Sequence, residues 1–502
     1  MLFNSSEFIF LFLPIALIVF FQLGGRGYHQ IAIAWLVGVS FFFYGWWEAS
    51  YLKLLVSSIL FNYCTGVALS RCYTIKHLNK KRLLAIGIIF NLVLLGYFKY
   101  ANFFVSSIND SFGTNFNLHT IILPLAISFF TFNQIAYLVD AYRGDAKEYN
   151  FLNYCLFISF FPHLIAGPIV HHKEMIPQFN QNSIYRFNAE NMAVGLTIFS
   201  LGISKKLFFA DCLAPPATQV FDAASHGISL TFFEAWIGAI AYSLQLYFDF
   251  SGYSDMAIGA ARMFGIKFPL NFNSPYKAEN IIDFWRRWHM TLSRFLRDYL
   301  YIPLGGNRKG KLRRYLNLMI TMLLGGLWHG AGWTFAFWGG LHGIYLVINH
   351  QWDSFRQTLG HDPSKSSWWS QGLGYLTTFI AIVVAWVFFR AENMAAALAV
   401  LKGMIGANGI SSPFSSFITT TKVVILILLL LIAWLTPNTQ QWMAQYNPAI
   451  DVVKNSFPAK RLWKRLQWQP TTALGVIFGV LIFVATKTLL AAPTSEFLYF
   501  NF

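Results

Sequence analysis

The sequence predicts an all-α, polytopic integral membrane protein with about 11–13 transmembrane or re-entrant helices. Of its 502 residues, 56% are hydrophobic and only 12% are charged, whereas soluble domains carry about 25% charged residues. Apolar runs long enough to cross a bilayer recur from end to end, and no polar block between them is long enough for a second domain. One membrane domain over residues 1–502 is therefore expected.

The apolar runs define the candidate spans, because a spanning helix needs about 20 mostly apolar residues. The candidates are 8–23, 30–48, 51–69, 83–99, 119–139, 151–170, 192–211, 229–248, 316–348, 372–390, 422–436 and 472–491. The segment 316–348 is long enough for two pieces, and several others contain Pro or Gly. Broken helices persist at membrane depth only where protein or a wet cavity surrounds them, so an interior site is expected.

The net charge of +16 has a membrane explanation. Most Lys and Arg residues lie in short loops between apolar runs, which is typical of cytoplasmic loops held by the positive-inside bias and by anionic membrane lipid. Nucleic acid is not an expected partner. Basic clusters at 76–82, 286–314 and 454–465 should face the cytoplasm of the cell inner membrane. Counting spans from these clusters predicts that the N- and C-termini are both extracytoplasmic.

One basic and aromatic stretch, RRWHMTLSRFLRDY, begins at Arg286. Its apolar residues recur at three- and four-residue steps, which predicts one helix with an aromatic face and an arginine face at the cytoplasmic membrane interface. His289 borders the aromatic face. One interpretation is a hydrogen-bonded histidine in an interfacial helix. The other is that His289 lies at the inner mouth of a site, with arginines nearby to meet a phosphorylated donor.

A second histidine, His329, lies between glycines in the apolar stretch GGLWHGAGW. An ionisable residue within a membrane span is costly, so a functional role is the default hypothesis. The glycines allow a bend and a close approach to the imidazole. The structural alternative is a buried histidine bonded to a backbone carbonyl.

Histidine suits acyl transfer because a neutral imidazole can accept the proton of an attacking hydroxyl, or accept the acyl group itself. A catalytic zinc site needs about three protein ligands, and the sequence has no HExxH, no HxxxH and no compact cluster of His, Asp and Glu. No metal is therefore expected. Soluble hydrolase and nucleotide-driven pump motifs, GxSxG and GxxxxGK[ST], are also absent from the sequence.

Polar residues inside the apolar segments predict a polar cavity but indicate no substrate. The acidic ones are Asp140, Asp249, Asp255 and Asp283. Each could orient a histidine or arginine, and for Asp140 and Asp255 a purely structural partnership is favoured. The amides are Gln134, Gln245, Asn271 and Asn273.

Six blocks of the sequence together resemble the membrane-bound O-acyltransferases, in the bacterial branch of alginate and peptidoglycan O-acetyltransferases. They are LPLAISFFTFNQIAYLVDAYRGD, FFPHLIAGPI, YSDMAIGAARMFGI, NFNSPY, DFWRRWHMTLSRFLRDYLYIPLGGNR and GLWHGAGWTFAFWGGLHG. The resemblance implies a helical membrane fold with a central funnel. It also implies that His329 is the catalytic histidine and that His289 is a second, deeper one toward the cytoplasm.

The resemblance further implies a cytoplasmic acyl thioester as donor, here acetyl-CoA, and no bound cofactor. A related D-alanine-transferring branch takes its acyl group from a carrier protein instead. We expect seven residues to bind the donor or line the funnel. They are Arg286, Arg287, Trp288, Arg294, Trp328, Asn273 and Asp283.

The C-terminal tail, residues 495–502, is rich in aromatic residues. One interpretation is an aromatic anchor at the membrane interface. The other is that the tail enters the outer funnel and presents the Tyr499 hydroxyl to His329, since it resembles the tyrosine-bearing tail of small partner proteins in the D-alanylation system. Tyr499 would then carry the acyl group to a separate transferase.

Three functions remain open from the residues alone. The first is an enzyme that exports acetyl groups for O-acetylation of an extracytoplasmic polysaccharide. The others are a transporter of an intact solute and a membrane scaffold. Because the chain has no soluble domain that could modify a polymer, the enzyme would need an extracytoplasmic acetyltransferase partner of hydrolase-like fold. The glycan would then be an indirect acceptor.

Overall fold

The computed structural model describes residues 1–71, 79–146, 149–360, 367–410, 418–452, 467–491 and 495–498. Its helices, in chain order, are α1 Phe8–Gly25, α2 His29–Gly45, α3 Ala49–Arg71, α4 Lys80–Phe112, α5 Ile127–Arg143, α6 Phe151–Ser159, α7 Phe161–Leu164, α8 His172–Phe179, α9 Ala189–Ser225, α10 Phe232–Met263, α11 Ile281–Trp285, α12 Met290–Leu296, α13 Gly310–His329, α14 Trp333–Thr358, α15 Trp368–Arg390, α16 Met394–Met404, α17 Thr420–Leu435, α18 Thr439–Trp442 and α19 Thr472–Ala491. The described residues contain no strand, only an isolated bridge between Pro269 and Ile450.

Six helices in the described part of the chain are long and apolar enough to cross a membrane: α1, α3, α4, α9, α15 and α19. Three shorter helices, α2, α16 and α17, are also apolar. The prediction of an all-α, polytopic membrane protein is confirmed. The predicted segment 316–348 is indeed two pieces, because α13 ends at His329 and α14 begins at Trp333.

Two predicted spans differ from the structure. The segment 119–139 becomes helical only at Ile127, after Pro124 and after Ala126, which has a φ of 66°. The segment 151–170 is helical only to Ser159, apart from one further turn that begins at Phe161. Proline removes a backbone donor and collides with the preceding helical turn, so the prolines in both segments interrupt a composition that is otherwise apolar enough to span.

Contacts between residues divide the chain into two compact units, each described by itself. The first comprises Met1–Ile203, Tyr253–Leu270 and Thr439–Phe500. Aromatic side chains fill its core, where Phe8 contacts the rings of Phe43 and Phe161. The single-domain prediction for residues 1–502 stays a prediction.

Polar side chains in the first unit bond to one another. Gln134 accepts hydrogen bonds from Ser58 and Asn62, and Asn62 also pairs with Asn91. These bonds join the three amides to one another within apolar helices, which gives Gln134 a structural role in the first unit.

Among the described residues, the second unit comprises Ser204–Gly252 and Asn271–Asn438. Its centre is the hairpin of α13 and α14, whose backbones pack closely at two glycines. A Cβ atom on Gly326 would overlap the carbonyl oxygen of Phe335, and one on Gly339 would overlap that of Met322. Glycine is thus required where the two helices meet, and this close packing fixes the position of His329 at the end of α13.

Candidate active site

The first element of the candidate site is His289, which is fully buried. Its Nδ1 lies 3.0 Å from Oδ1 of Asn271, and the same oxygen accepts a hydrogen bond of 2.8 Å from the Thr291 hydroxyl. The backbone carbonyl of Asn271 accepts a further bond of 2.9 Å from the Met290 amide. Because Oδ1 accepts the side-chain bonds, the proton of a neutral His289 sits on Nδ1, and Nε2 is its basic nitrogen.

The backbone at His289 is strained, with φ 42° and ψ 53° in the left-handed region. A residue with a bulky side chain rarely adopts this conformation, and such outliers cluster at functional sites. The predicted single helix over RRWHMTLSRFLRDY is therefore wrong. The chain forms α11, turns through residues 286–289 and restarts as α12, because Asn271 holds the segment after His289 through side-chain and backbone bonds.

Burial also sets the charge of this residue. Complete desolvation lowers the pKa of His289, which belongs to none of the membrane-spanning helices, to about 3. The ring of Phe250 lies edge-on to it at 4.8 Å, and that of Phe272 lies on its face at 6.3 Å. A neutral imidazole enclosed by aromatic rings is thus the resting form of His289.

The second element is His329, the last residue of α13, which is 5% exposed. Its ring is surrounded by Trp328, Trp338 and Phe389, whose ring centroids lie 4.9, 5.3 and 5.2 Å away. The ring of His289 lies 6.4 Å from it. The two histidines that were identified in separate motifs are therefore neighbours in one buried aromatic cluster.

Among the seven predicted donor-binding residues, Trp328 lies against both histidines, at 6.1 Å from His289 and 4.9 Å from His329. Trp288 is buried, and it packs on Phe272 and Trp386 at 5.0 and 4.9 Å. Trp328 therefore forms part of the wall around the histidine pair, whereas Trp288 supports the rings behind it.

The predicted polar residues lie on the segment that carries His289 or bond to it. Arg287 pairs with Asp283 at 2.8 Å, and both are partly exposed. The backbone amide of Asn273 donates to the Arg287 carbonyl at 2.9 Å, and its side-chain oxygen accepts from Asn438. Arg294 is half-buried on α12. These contacts hold the loop in place.

Arg286 differs from its neighbours, because it is exposed. An exposed guanidinium two residues before Trp288 could meet an anionic group of a ligand. The structure therefore places five of the predicted residues along one segment, with Asn273 bonded to it, and brings His289, His329 and Trp328 together in one cluster.

Sequence reasoning missed four contributors. Asn271 appeared only as a cavity amide, yet it holds His289. Trp285, Trp338 and His342 were not identified as site residues, although Trp285 donates a hydrogen bond of 3.3 Å to Nδ1 of His342. The spacing of Trp338 and His342, four residues apart on α14, was the available signal, since it puts both side chains on one helix face.

The interior acids have partners of their own. Asp249 binds Lys206 at 2.8 Å, and Asp211 binds the same ammonium at 3.0 Å. In the first unit, Asp140 binds His172 at 2.9 Å, and Asp255 accepts from Thr439 at 2.7 Å. The structural roles favoured for Asp140 and Asp255 agree with these bonds.

Metal coordination is the other chemistry that clustered histidines can support. Among the residues that the structure describes, no group of three or more His, Cys, Asp and Glu side chains is arranged to hold a metal ion. The histidine pair with its amide and aromatic neighbours supports proton transfer near an apolar, enclosed reacting group.

The start of the C-terminal tail is seated within the first unit. The Asn4 side chain donates to the Ser495 carbonyl at 3.0 Å, and the fully buried Phe497 contacts the ring of Tyr253 at 4.8 Å. The predicted relay residue, Tyr499, lies outside the described residues.

Comparison with known proteins identifies the family. The model of the MBOAT, membrane-bound O-acyltransferase family, matches residues 17–389. The chain is 43% identical to the peptidoglycan O-acetyltransferase of Helicobacter pylori, over 100% of this chain and 98% of that protein. It is also 43% identical to the probable alginate O-acetylase of Pseudomonas aeruginosa, over 80% of this chain and 75% of that protein.

A more distant relative is the teichoic acid D-alanyltransferase of Streptococcus thermophilus, 29% identical over 53% of this chain and 68% of that protein. All three relatives are named as acyl-transferring enzymes, and the family model extends over both histidine motifs. Of the functions left open by the residues, the enzyme is the one supported. The chain is a multi-pass membrane acyltransferase that belongs to the membrane-bound O-acyltransferase family.

Proposed function

We propose that this enzyme moves an acetyl group from cytoplasmic acetyl-CoA across the inner membrane for O-acetylation of an extracytoplasmic glycan. The observation that carries the proposal is the buried pair of His289 and His329, 6.4 Å apart inside an aromatic cluster. The 43% identity to enzymes named for peptidoglycan and for alginate supports an acetyl group and a glycan of this kind.

The transfer step follows from the chemistry of imidazole. The acceptor hydroxyl attacks the thioester carbonyl carbon while His329 takes its proton. The carbon–sulfur bond then breaks, and the leaving thiolate takes the proton back from the imidazolium, which yields the ester and free CoA. The aromatic cluster excludes water, and this limits hydrolysis of the thioester.

The donor is proposed to approach from the cytoplasmic side, where His289 is the first histidine it meets. Arg286, Arg287 and Arg294 would meet its phosphates, since guanidinium groups suit phosphate recognition. Trp328 and Trp288 would line or support the funnel. Asn273 and Asp283 would keep the segment in place through the bonds described above.

Export of the acetyl group is proposed to use the tail. Tyr499 takes the acetyl group, activated by His329, and passes it to an extracytoplasmic transferase of hydrolase-like fold. This proposal includes the orientation predicted from the basic clusters, in which both termini are extracytoplasmic. The burial of Phe497, two residues before Tyr499, supports a seated tail over a lipid-facing anchor.

The test uses purified protein in lipid with radiolabelled acetyl-CoA. Release of free CoA and label on the protein are followed for wild type, His329→Ala and Tyr499→Phe. The relay predicts label on the wild type that disappears in both variants. Loss in His329→Ala alone would keep the enzyme and remove Tyr499 from it.

A carrier-protein donor is the second candidate, because of the similarity to a D-alanyltransferase. It predicts no CoA release from acetyl-CoA under any condition, even with a partner and an acceptor supplied. Transfer would then appear only when an acylated carrier protein replaces acetyl-CoA.

A further inference from the structure

Trp338 and His342 carry two buried N–H groups that the proposed reaction does not use. Trp338 is 1% exposed and His342 is fully buried. They lie one turn apart on α14, and their ring centroids are 4.8 Å apart. Trp338 also lies 5.3 Å from His329, so Trp338 belongs to the wall around the proposed base and His342 lies directly behind it.

The hydrogen bond from Trp285 determines which nitrogen of His342 carries a proton. The indole Nε1–H of Trp285 donates to Nδ1 of His342 at 3.3 Å. A nitrogen that accepts a hydrogen bond has a lone pair, so His342 is neutral and its proton is on Nε2. His342 is therefore a hydrogen-bond donor through Nε2, with its orientation set by Trp285.

Within the described residues, Nε2 of His342 and Nε1 of Trp338 are both buried and have no hydrogen-bond partner. Leaving a buried donor unsatisfied is destabilising, and such groups require an explanation. Two of them on neighbouring rings, one of which contacts His329, indicate a site for an acceptor atom of a ligand.

We propose that Nε1–H of Trp338 and Nε2–H of His342 donate hydrogen bonds to the thioester carbonyl oxygen of the acyl donor. When the acceptor oxygen attacks the carbonyl carbon, the π electron pair of the C=O bond moves onto this oxygen. The two N–H groups stabilise the resulting negative charge until the pair returns and the thiolate leaves. This role rests on the proposed thioester function and adds two catalytic residues to it.

A packing role is the alternative, in which both N–H groups only face aromatic rings. Three substitutions separate the two roles. Trp338→Phe keeps a ring and removes the donor. His342→Gln keeps an N–H near the position of Nε2. The shorter side chain of His342→Asn reaches only the position of Nδ1, so this variant has no N–H at the position of Nε2.

We expect Trp338→Phe and His342→Asn each to lower kcat for CoA release about 100- to 1000-fold, the usual effect of losing one oxyanion donor. His342→Gln should stay within about tenfold of wild type, because it retains a donor for the charge that develops in the transition state. The matched control is Trp236→Phe, since Nε1 of Trp236 already donates to the Met404 carbonyl at 2.9 Å. It should keep wild-type kcat.

Binding of S-acetonyl-CoA, an unreactive ketone analogue, gives the readout that a packing role would not produce. It should change less than about threefold in His342→Asn, because the donors act mainly on the developing charge. Equal kcat for His342→Gln and His342→Asn, with both proteins folded, would overturn the proposal. If Trp338→Phe fails to fold, this Gln and Asn comparison decides alone. Failure of the proposed function is distinct, because the wild type itself would then release no CoA.

Discussion

The imidazole rings of His289 and His329 lie 6.4 Å apart and are inclined at 58° to each other. Each reaches this position by a different route. His329 ends a long helix and is fixed by glycine contacts, whereas His289 sits at a strained turn held by Asn271. The pair therefore depends on two supports that can be removed separately.

Asn271→Ala tests the support of His289. The substitution leaves Nδ1–H of His289 and the Thr291 hydroxyl without their common acceptor, so the ring can turn away. We expect kcat to fall about 10- to 100-fold, because a displacement of about 1 Å at a reacting site can cost about 10²-fold. Asn271→Asp keeps an acceptor oxygen and should retain more activity, as measured by CoA release.

The control for Asn271 is Asn317→Ala. Asn317 is equally buried, and its side chain donates to the Gly306 carbonyl at 2.9 Å. Its loss should lower thermal stability, because a buried carbonyl loses its donor, and should leave kcat near that of the wild type. Full activity in folded Asn271→Ala would show that His289 needs no such clamp.

The sequence allowed the all-α membrane fold and both histidines to be predicted, because hydropathy and glycine-flanked motifs are local signals. It did not allow the break at His289 to be predicted. The break depends on Asn271, 18 positions away, and a helical spacing of aromatic residues is unaffected by such a contact. The bond between Trp285 and His342 spans 57 positions, so it too left no local pattern.

Adjacent glycines on α14 give opposite predictions. A Cβ on Gly339 would overlap the Met322 carbonyl, whereas one on Gly340 would meet only Leu323 Cδ2 at 3.4 Å. Gly339→Ala should push α13 and α14 apart, lower thermal stability and slow CoA release at least about tenfold, because misplacing His329 misaligns the proposed base. Gly340→Ala should match or exceed wild-type stability, since alanine favours a helix by about 1 kcal/mol over glycine.

The measurement for the glycine pair is melting temperature in detergent together with the rate of CoA release. Equal behaviour of the two alanine variants would mean that the backbone contact at Gly339 does not position His329.

Lys206 supports the second unit through a buried ion pair. Its side chain and that of Asp249 are each 2% exposed, at 2.8 Å from one another. Lys206→Met should destabilise the protein by about 3–5 kcal/mol, because it leaves a buried carboxylate without its cation. The double variant with Asp249→Leu should recover most of that loss.

Reversible unfolding in bicelles measures these differences. Recovery in the double variant would show that the unpaired charge, rather than the lost lysine packing, causes the instability. A double variant no more stable than Lys206→Met would contradict this.

Phe497→Ala tests whether the seated tail matters for transfer. Phe497 is fully buried against Tyr253, and replacing a buried phenylalanine by alanine costs about 3–5 kcal/mol. This loss should release residues 495–498 from their seat, so acetyl transfer to the proposed extracytoplasmic partner should fall at least about tenfold while acetyl-CoA binding stays within about twofold. Leu498→Ala, at a half-buried neighbour, is the control and should transfer nearly as wild type. Wild-type transfer by folded Phe497→Ala would mean that the seat of Phe497 is not needed to export the acetyl group.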